Sequence, residues 1–387
     1  VLLTRAPWLA GPRGRQDRLP GMLPIVVAAL GVWCTIGGCC SDCDLPSEVD
    51  PDCCEEEIDR TATRGFGALN DFFARRGGGW TGGLGGHSVE LSESKIAWLF
   101  GESFVDTVFS DFTRPANSAV VENAIVLTMG EHFETIVDTS ASSPRALFRP
   151  LEKGLVYIPR SARVEGSTLE VVCGTYSRTG DGIFDIFFVR TDLIVLSLED
   201  WSTISRQTVA EGSPIVFGSA LLEDGGRAYV YGKRDFLSEV VGELNKRAYV
   251  ARTAGTSLLG EWEYFDGEGW SKAWEDAVPI ADGVSDEFSV FFAHDRFYML
   301  TKLSPLYGDI VLNVADDPTG PWSFHKLVWE DRGGNQSRIT FNAKIHPGMS
   351  SEIELVVSYN SSSFSRSRIY DSFSLHRPIF LRVTEWE

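Results

Sequence analysis

One strand type recurs five times along this 387-residue chain. It reads Trp98-Leu99-Phe100-Gly101, Val171-Val172-Cys173-Gly174, Tyr229-Val230-Tyr231-Gly232, Tyr298-Met299-Leu300-Thr301 and Leu355-Val356-Val357-Ser358. Three apolar residues lead into a small residue each time, at spacings of 73, 58, 69 and 57 residues. The intervening sequence is made of short β-branched and aromatic runs divided by Gly, Asp, Asn and Pro, the pattern of strands and turns. Helical periodicity is almost absent. A strand unit repeated at this period cannot bury both faces alone and must stack on its neighbours.

A second marker follows the first: Gly130 with Phe133, Asp200-Trp201, Gly260 with Trp262, and Gly320-Pro321-Trp322. These read as the start of an outer strand, where an aromatic caps the packing between sheets. The runs ahead of each marker read as inner strands: His87-Ser88-Val89, Ala146-Leu147-Phe148, Ile215 to Gly218, Glu287 to Val290, and Phe341 to Lys344. The expected fold is all-β, a five-bladed β-propeller of four-stranded antiparallel blades over residues 62–387, with two β-sandwiches as the competing architecture. The fifth unit lacks an outer-strand marker. A segment within residues 60–78 is therefore expected to close the ring or pack across the gap.

Formal net charge is −19, which argues against a nucleic-acid partner, whose phosphates need Lys and Arg. A neutral or polyol ligand suits an acidic surface better. Arg13, Arg15 and Arg18 precede an apolar stretch from Met22 to Trp33, the layout of a signal peptide and too short for a membrane span. Ile36-Gly37-Gly38-Cys39 resembles a bacterial lipobox, which implies a signal over 1–38, lipidation at Cys39 and a Cys- and acid-rich tether over 39–61. An ordinary signal peptide cut nearby is the alternative. On the first reading the protein is exported and meets a membrane only through its lipid, at the cell surface or in the periplasm; on the second it is secreted.

Candidate chemistry gathers where a propeller places it, on the inner strands and the loops entering them. His87, Glu287, Asn342 and Lys344 would ring the channel with groups suited to sugar hydroxyls, and Trp80 would offer a stacking face. Glycoside cleavage needs two carboxyl groups. Glu102, at the end of the first repeat strand, and Glu287 are the candidate catalytic pair. No His or Cys spacing suggests a metal site, and the glycines at 77–79, 82, 83, 85 and 86 form no phosphate loop, because a strand follows and no Lys-Ser or Lys-Thr. No cofactor is expected.

Taken together, GWTGGLGGHSVEL, WLFGES, RPANSAVVEN, GEWEYFDGEGWS, DEFSVFF, DDPTGPW, FNAKIHP and LVVSYN resemble a family of exported bacterial five-bladed propellers. That family was long known only as a domain of unknown function, and some of its members are endo-D-arabinanases. The likeness runs in order from about residue 64 to 387. It implies a furanosidase-like architecture with the active site on blade one, and it brings Asn117, within RPANSAVVEN, into the candidate substrate-binding set. Where the family usually shows Asp in the Gly-Gly-Asp-Gly turn, this chain has Leu84; where it shows Asp in the Phe-Gly-Asp-Thr strand end, this chain has Glu102, whose reach differs by roughly 1.5 Å.

Two functions follow as expectations. One is a glycoside hydrolase-like propeller acting on a cell-envelope or extracellular polysaccharide, arabinan-like furanosides first, with Asp106, Glu122 or Glu287 standing in for the carboxylate missing at Leu84. The other is a carbohydrate-binding or scaffold propeller without turnover.

Overall fold

The computed structural model describes residues 58–180, 185–237, 244–304, 308–331 and 338–387. The expected signal over 1–38, Cys39, and the tether as far as residue 57 lie outside the described residues. The tether's last residues, 58–61, already touch the domain: Leu327 N–H donates to Asp59 C=O at 2.9 Å and Thr61 N–H to Leu327 C=O at 3.0 Å.

Among the described residues, five antiparallel sheets stand in a ring as a five-bladed β-propeller. Blade one runs from the centre outward as Trp80–Ser92, Lys95–Val105, Ala124–Met129 and His132–Ile136. Blade two is Leu155–Glu165, Thr168–Arg178, Ile186–Ser197 and Thr203–Val209. Blade three is Val216–Asp224, Arg227–Leu237, Leu244–Thr253 and Trp262–Phe265, and blade four is Ser289–Ala293, Arg296–Lys302, Ile310–Ala315 and Ser323–Trp329. Blade five takes three strands from the C-terminal end, Ile339–Ile345, Leu355–Ser362 and Arg377–Thr384. Its fourth is Ala62–Gly65, which pairs antiparallel with Arg377–Thr384 in the register Ala62 to Thr384 and Gly65 to Leu381. The expected closure of the ring is met by this strand.

The repeat is legible in the packing. The core divides into five clusters, each in the gap between two neighbouring blades. Successive side chains of a strand point to opposite faces, so each marker strand feeds both of its gaps. Trp98 and Phe100 pack toward blade five while Leu99 packs toward blade two. Val172 packs toward blade three while Val171 and Cys173 pack toward blade one. A strand buried on both faces reads as an unbroken apolar run, which is why the marker carries no alternation. The small residue after it abuts the next blade or the inner strand: a Cβ on Gly101 would meet Ile158 at 3.3 Å, and one on Gly232 would meet the Val216 carbonyl at 2.9 Å.

Two inner-strand expectations are corrected. Ala146-Leu147-Phe148 is not the inner strand of blade two but a connecting loop, held by Asn123, whose side chain bonds Phe148 C=O at 2.9 Å and Phe148 N–H at 3.2 Å. The true inner strand, Leu155–Glu165, carries Pro159 and two arginines and so does not read as a buried strand. Pro159 is tolerated there because the ladder shifts register between Pro159 and Ser161. The glycine-rich stretch at 79–86 is likewise not a loop. From Trp80 it is itself inner strand, with register shifts at Trp80/Gly82, Gly83/Gly85 and Gly85/His87.

Candidate functional site

The second strand of every blade ends on the same face of the ring, and the residue just past the small marker is polar or aromatic in each: Glu102, Thr175, Lys233, Lys302 and Tyr359. These define the mouth of the channel. The glycines opposite Glu102 serve two needs. Gly85 and Gly86 take φ of +89° and +91°, a region costly for other residues. Gly82 and Gly83 are required by contact: a Cβ on Gly82 would lie 2.7 Å from Arg114 Nη2 and 2.7 Å from His376 C=O, and one on Gly83 would lie 2.5 Å from Ser103 Oγ. At Gly82 and Gly83 the space is taken by protein groups.

Glu102 is 12% exposed in its side chain, and Arg178 of blade two donates to its carboxylate at 3.1 Å. His376, from the long loop of blade five, places Nε2 at 3.0 Å from the Glu102 carbonyl oxygen and 4.0 Å from Oε1. Burial, and then the charge of Arg114, push His376 down to about 3, so it is neutral near pH 7 and Arg178 is the charged partner. Glu102 thus spans blades five, one and two.

Deeper in the channel the inner strands bulge. The ladder shifts between Pro159 and Ser161 in blade two, Phe217 and Ala220 in blade three, and Phe341 and Lys344 in blade five. A bulge re-aims the side chain it frees. Arg160 reaches the Ser219 hydroxyl at 3.2 Å and the Asp286 backbone carbonyl. Asn342 adopts φ of +56° and is buried, its Oδ1 without a partner. Lys344 and Glu287 form a buried ion pair between blades five and four. His87 turns Nε2 toward Ala162 C=O at 3.3 Å, and burial followed by the charge of Lys344 pushes it down to about 4. Below it, Ser88 bonds His346 at 2.9 Å, and His346 bonds Ser358 at 2.8 Å.

A third set lies at the mouth between blades three and four. Asp286 accepts from Lys233 at 2.9 Å and faces Lys246 at 3.4 Å, while Asp235 accepts from both lysines. Burial alone would raise Asp286, but these lysines and Arg160 hold it below the usual carboxylate range. Asp286 and Glu287 take lysine ammoniums as partners. Among the described residues no group of three or more His, Cys, Asp and Glu side chains is gathered for a metal.

The structure therefore brings His87, Glu287 and Lys344 together in the channel, with Asn342 buried on the same inner strand as Lys344, and puts Glu102 at its mouth. Trp80 is not a stacking surface in this conformation: it is 1% exposed, with its ring against Phe73 and Phe100 in the core between blades five and one. Asn117 sits in an exposed turn of the loop leaving the second strand of blade one. Glu102 and Glu287 belong to separate ion-pair sets, one between blades one and two, the other between four and five. Sequence reasoning missed Arg160, Arg178, His376 and the pair Lys233 and Lys246. The signal for Lys233 was present, since it follows the small marker as Glu102 does. No sequence signal marks Arg160, whose role depends on a bulge.

Two clefts lie between neighbouring blades. One, of about 420 Å³, is bounded by Thr61, Thr63, Trp329 and Tyr359, where the closing strand meets blade four. The other, of about 230 Å³, lies between blades one and two around Asn123 and Tyr157.

Comparison with known proteins gives the following. The family described as Domain of unknown function (DUF5005) matches residues 67–386. Comparison with curated proteins gives no match. Among solved structures, a putative hydrolase from Bacteroides ovatus superposes with a TM-score of 0.70 at 22% identity, covering 89% of this chain and 97% of that one. At this identity the likeness is one of fold. More distant are a GH43_1 enzyme from Xanthomonas citri complexed with xylotriose (TM-score 0.45, 11% identity, 82% and 93% covered). An α-L-arabinofuranosidase from Podospora anserina in complex with cellotriose lies at a similar distance (0.47, 9%, 85% and 98%).

Proposed function

The chain belongs to the DUF5005 family, and from that premise we propose that it is a glycoside hydrolase-type propeller acting on an extracellular or cell-envelope polysaccharide. Furanose-rich chains such as arabinan are the first substrates to test. The observation that carries this reading is the carboxylate of Glu102, held at the channel mouth by Arg178 of the next blade. A carboxylate held by an arginine is fixed in orientation, as a nucleophile or base must be. Glu287, Asn342, Lys344 and His87 line the channel below and supply hydroxyl partners, with Glu287 the proposed second carboxyl. In this reading the protein is exported, anchored through Cys39 or released.

A second reading has its own support. Glu287 is neutralised by Lys344, and the inner-strand position where family relatives are expected to carry Asp is Leu84. A hydrolase needs a second carboxyl group roughly 5 to 9.5 Å from the first. With Glu287 locked in its pair, the same mouth would bind glycan without cleaving it.

The test is reducing-end release from arabinans and a panel of envelope glycans, by the protein and its Glu102→Gln variant. Turnover that disappears in the variant supports the hydrolase. Saturable binding with no turnover supports the second reading, and neither binding nor turnover on any glycan sinks both.

A further inference from the structure

Tyr176 stands two residues before Arg178 on the second strand of blade two, and Arg178 is the residue that holds Glu102. Residues two apart on a strand project to the same face, separated by roughly 6.6 Å along it. Tyr176 therefore shares the mouth with Glu102. Its ring lies on Gly174, the small marker residue of that strand, where a Cβ would come within 2.5 Å of the ring and 3.0 Å of the hydroxyl. Phe188 supports the ring edge-on, with centroids 5.7 Å apart.

Arg160 ties that hydroxyl to blade four. Its Nη1 donates to the Tyr176 hydroxyl oxygen at 3.5 Å, and its Nη2 donates to the Asp286 backbone carbonyl. The same carbonyl accepts from the Ser219 hydroxyl at 2.8 Å, so blades two and three both fix Asp286. One guanidinium thus touches Tyr176 and Asp286 and brings them to one place. Arg160 is 5% exposed, and its Nε is buried without a partner.

The Asp286 side chain is 43% exposed, whereas Lys233 and Lys246, which hold it, are 8% and 4% exposed. Both ammoniums approach Oδ1. Among the described residues Asp286 Oδ2 has no partner, and the proton of the Tyr176 hydroxyl has no acceptor. A purely structural network closes such groups on one another. This one leaves an acceptor and a donor open, with a nitrogen unused in the guanidinium that joins them. Burial pushes the Tyr176 phenol up, so it stays a donor near pH 7. Against the upward pull of burial, Lys233, Lys246 and Arg160 hold Asp286 below the usual carboxylate range, so it stays an acceptor.

We propose that Tyr176 and Asp286 form a hydroxyl-binding subsite for a neutral sugar unit beside Glu102, the Tyr176 O–H donating to one hydroxyl oxygen and Asp286 Oδ2 accepting from a hydroxyl of the same unit. The proposal rests on the reading that the mouth takes a polysaccharide, and it adds where the unit next to Glu102 is held and by which groups. Bonds from a hydroxyl to an ionised carboxylate are about twice as strong as neutral ones, so Asp286 is the stronger of the two contacts. A sugar carboxylate in the same place would meet the charge of Asp286, which disfavours an acidic unit.

The test measures affinity of the full protein and of its Tyr176→Phe and Asp286→Asn variants for arabinan, galactan and unsubstituted xylan, with polygalacturonate as the acidic comparison. The wild type is expected to bind one neutral polymer more tightly than polygalacturonate. Tyr176→Phe should weaken that binding about fivefold with Tm unchanged, and Asp286→Asn about tenfold or more. Binding by Tyr176→Phe within about twofold of the wild type overturns the subsite, as does the same result for a folded Asp286→Asn. If Asp286→Asn fails to fold, Tyr176→Phe decides alone. Tighter binding to polygalacturonate than to every neutral polymer also overturns it. In each of these cases a glycan is still bound, so the polysaccharide reading survives and the subsite alone falls. If the wild type binds no glycan at all, both fall.

Discussion

Lys344 donates to the carboxylate of Glu287 across the gap between blades four and five, and both side chains are buried. The pair stands in the channel where a hydroxyl-binding ring was expected, so its removal separates structural from chemical roles. Lys344→Met leaves a buried, unpaired carboxylate and should cost about 3–5 kcal/mol of stability. The double variant Glu287→Gln, Lys344→Met should recover most of that loss, because neither charge is then stranded. Urea unfolding of the wild type, the single variants and the double variant measures both terms. A double variant no more stable than Lys344→Met would show that the pair is not the unit that matters. If Glu287 is also the second catalytic carboxyl, Glu287→Gln abolishes turnover under conditions where it remains folded.

The glycines of blade one should divide sharply on substitution. A Cβ on Gly83 would stand 2.5 Å from Ser103 Oγ and 2.8 Å from Trp80 Nε1, whereas one on Gly77 would meet nothing within 4 Å. Gly83→Ala is therefore expected to destabilise by roughly 2–3 kcal/mol through overpacking. Gly77→Ala should change stability by no more than about 0.5 kcal/mol. Equal effects in thermal unfolding would contradict the packing seen around Gly83.

How far the sequence revealed this molecule follows from what holds each part in place. The five marker strands were legible because burial on two faces imposes three apolar residues in a row, and Trp98, Leu99 and Phe100 show that demand directly. The closing strand was legible only as a gap: Ala62 and Arg64 are exposed, and backbone bonds to the last strand hold the segment, which any polar sequence could supply. Blade two's inner strand was missed because Pro159 and Arg160 sit at a bulge, whose position depends on the neighbouring blades. The site was half legible. Glu102 followed from strand position, but Arg178 and His376 reach it from two other blades, 76 and 274 residues away in sequence. Trp80 was read as a sugar platform from residue type alone, and its burial against Phe73 and Phe100 depends on a helix that the strand pattern did not suggest.

Stability should fall on mild acidification, through the histidines. His87 is pushed down to about 4 and His376 to about 3, burial being the larger cause in each. Unfolded histidine titrates near 6.5, so between about pH 6.5 and 4 the unfolded chain binds protons that the native chain refuses. Stability is then full above the unfolded value and declines as pH drops through that window. Asp286, held low by its lysines, keeps its contribution until pH falls below the ordinary carboxylate range of about 4, so it does not confuse the signal. The two histidines together should remove roughly 3–5 kcal/mol between pH 7 and 4.5. Urea midpoints across that range should show the decline, and His87→Gln should shrink it. A flat profile from pH 7 to 5 would mean that these side chains gain protons in the native state without penalty.

The ring should depend on its borrowed strand. Residues 62–65 pair with Leu381 to Thr384, Phe66 N–H donates to Phe380 C=O at 2.9 Å, and Arg382 lies 4.0 Å over the Phe66 ring. Little apolar surface is buried by the strand itself, so its contribution comes from hydrogen bonds, about 1 kcal/mol net for each. A protein beginning at residue 67 is expected to lose on the order of 4–6 kcal/mol relative to one beginning at residue 58. It also exposes the edge of Arg377–Thr384, an open row of backbone donors and acceptors that invites pairing between chains. Thermal unfolding and size-exclusion chromatography of the two proteins read both consequences, a lower Tm and a shift toward larger species. If the shorter protein matched the longer in Tm and stayed monomeric, the packing of the five gaps alone would be holding the ring closed, and the strand would be an ornament of blade five.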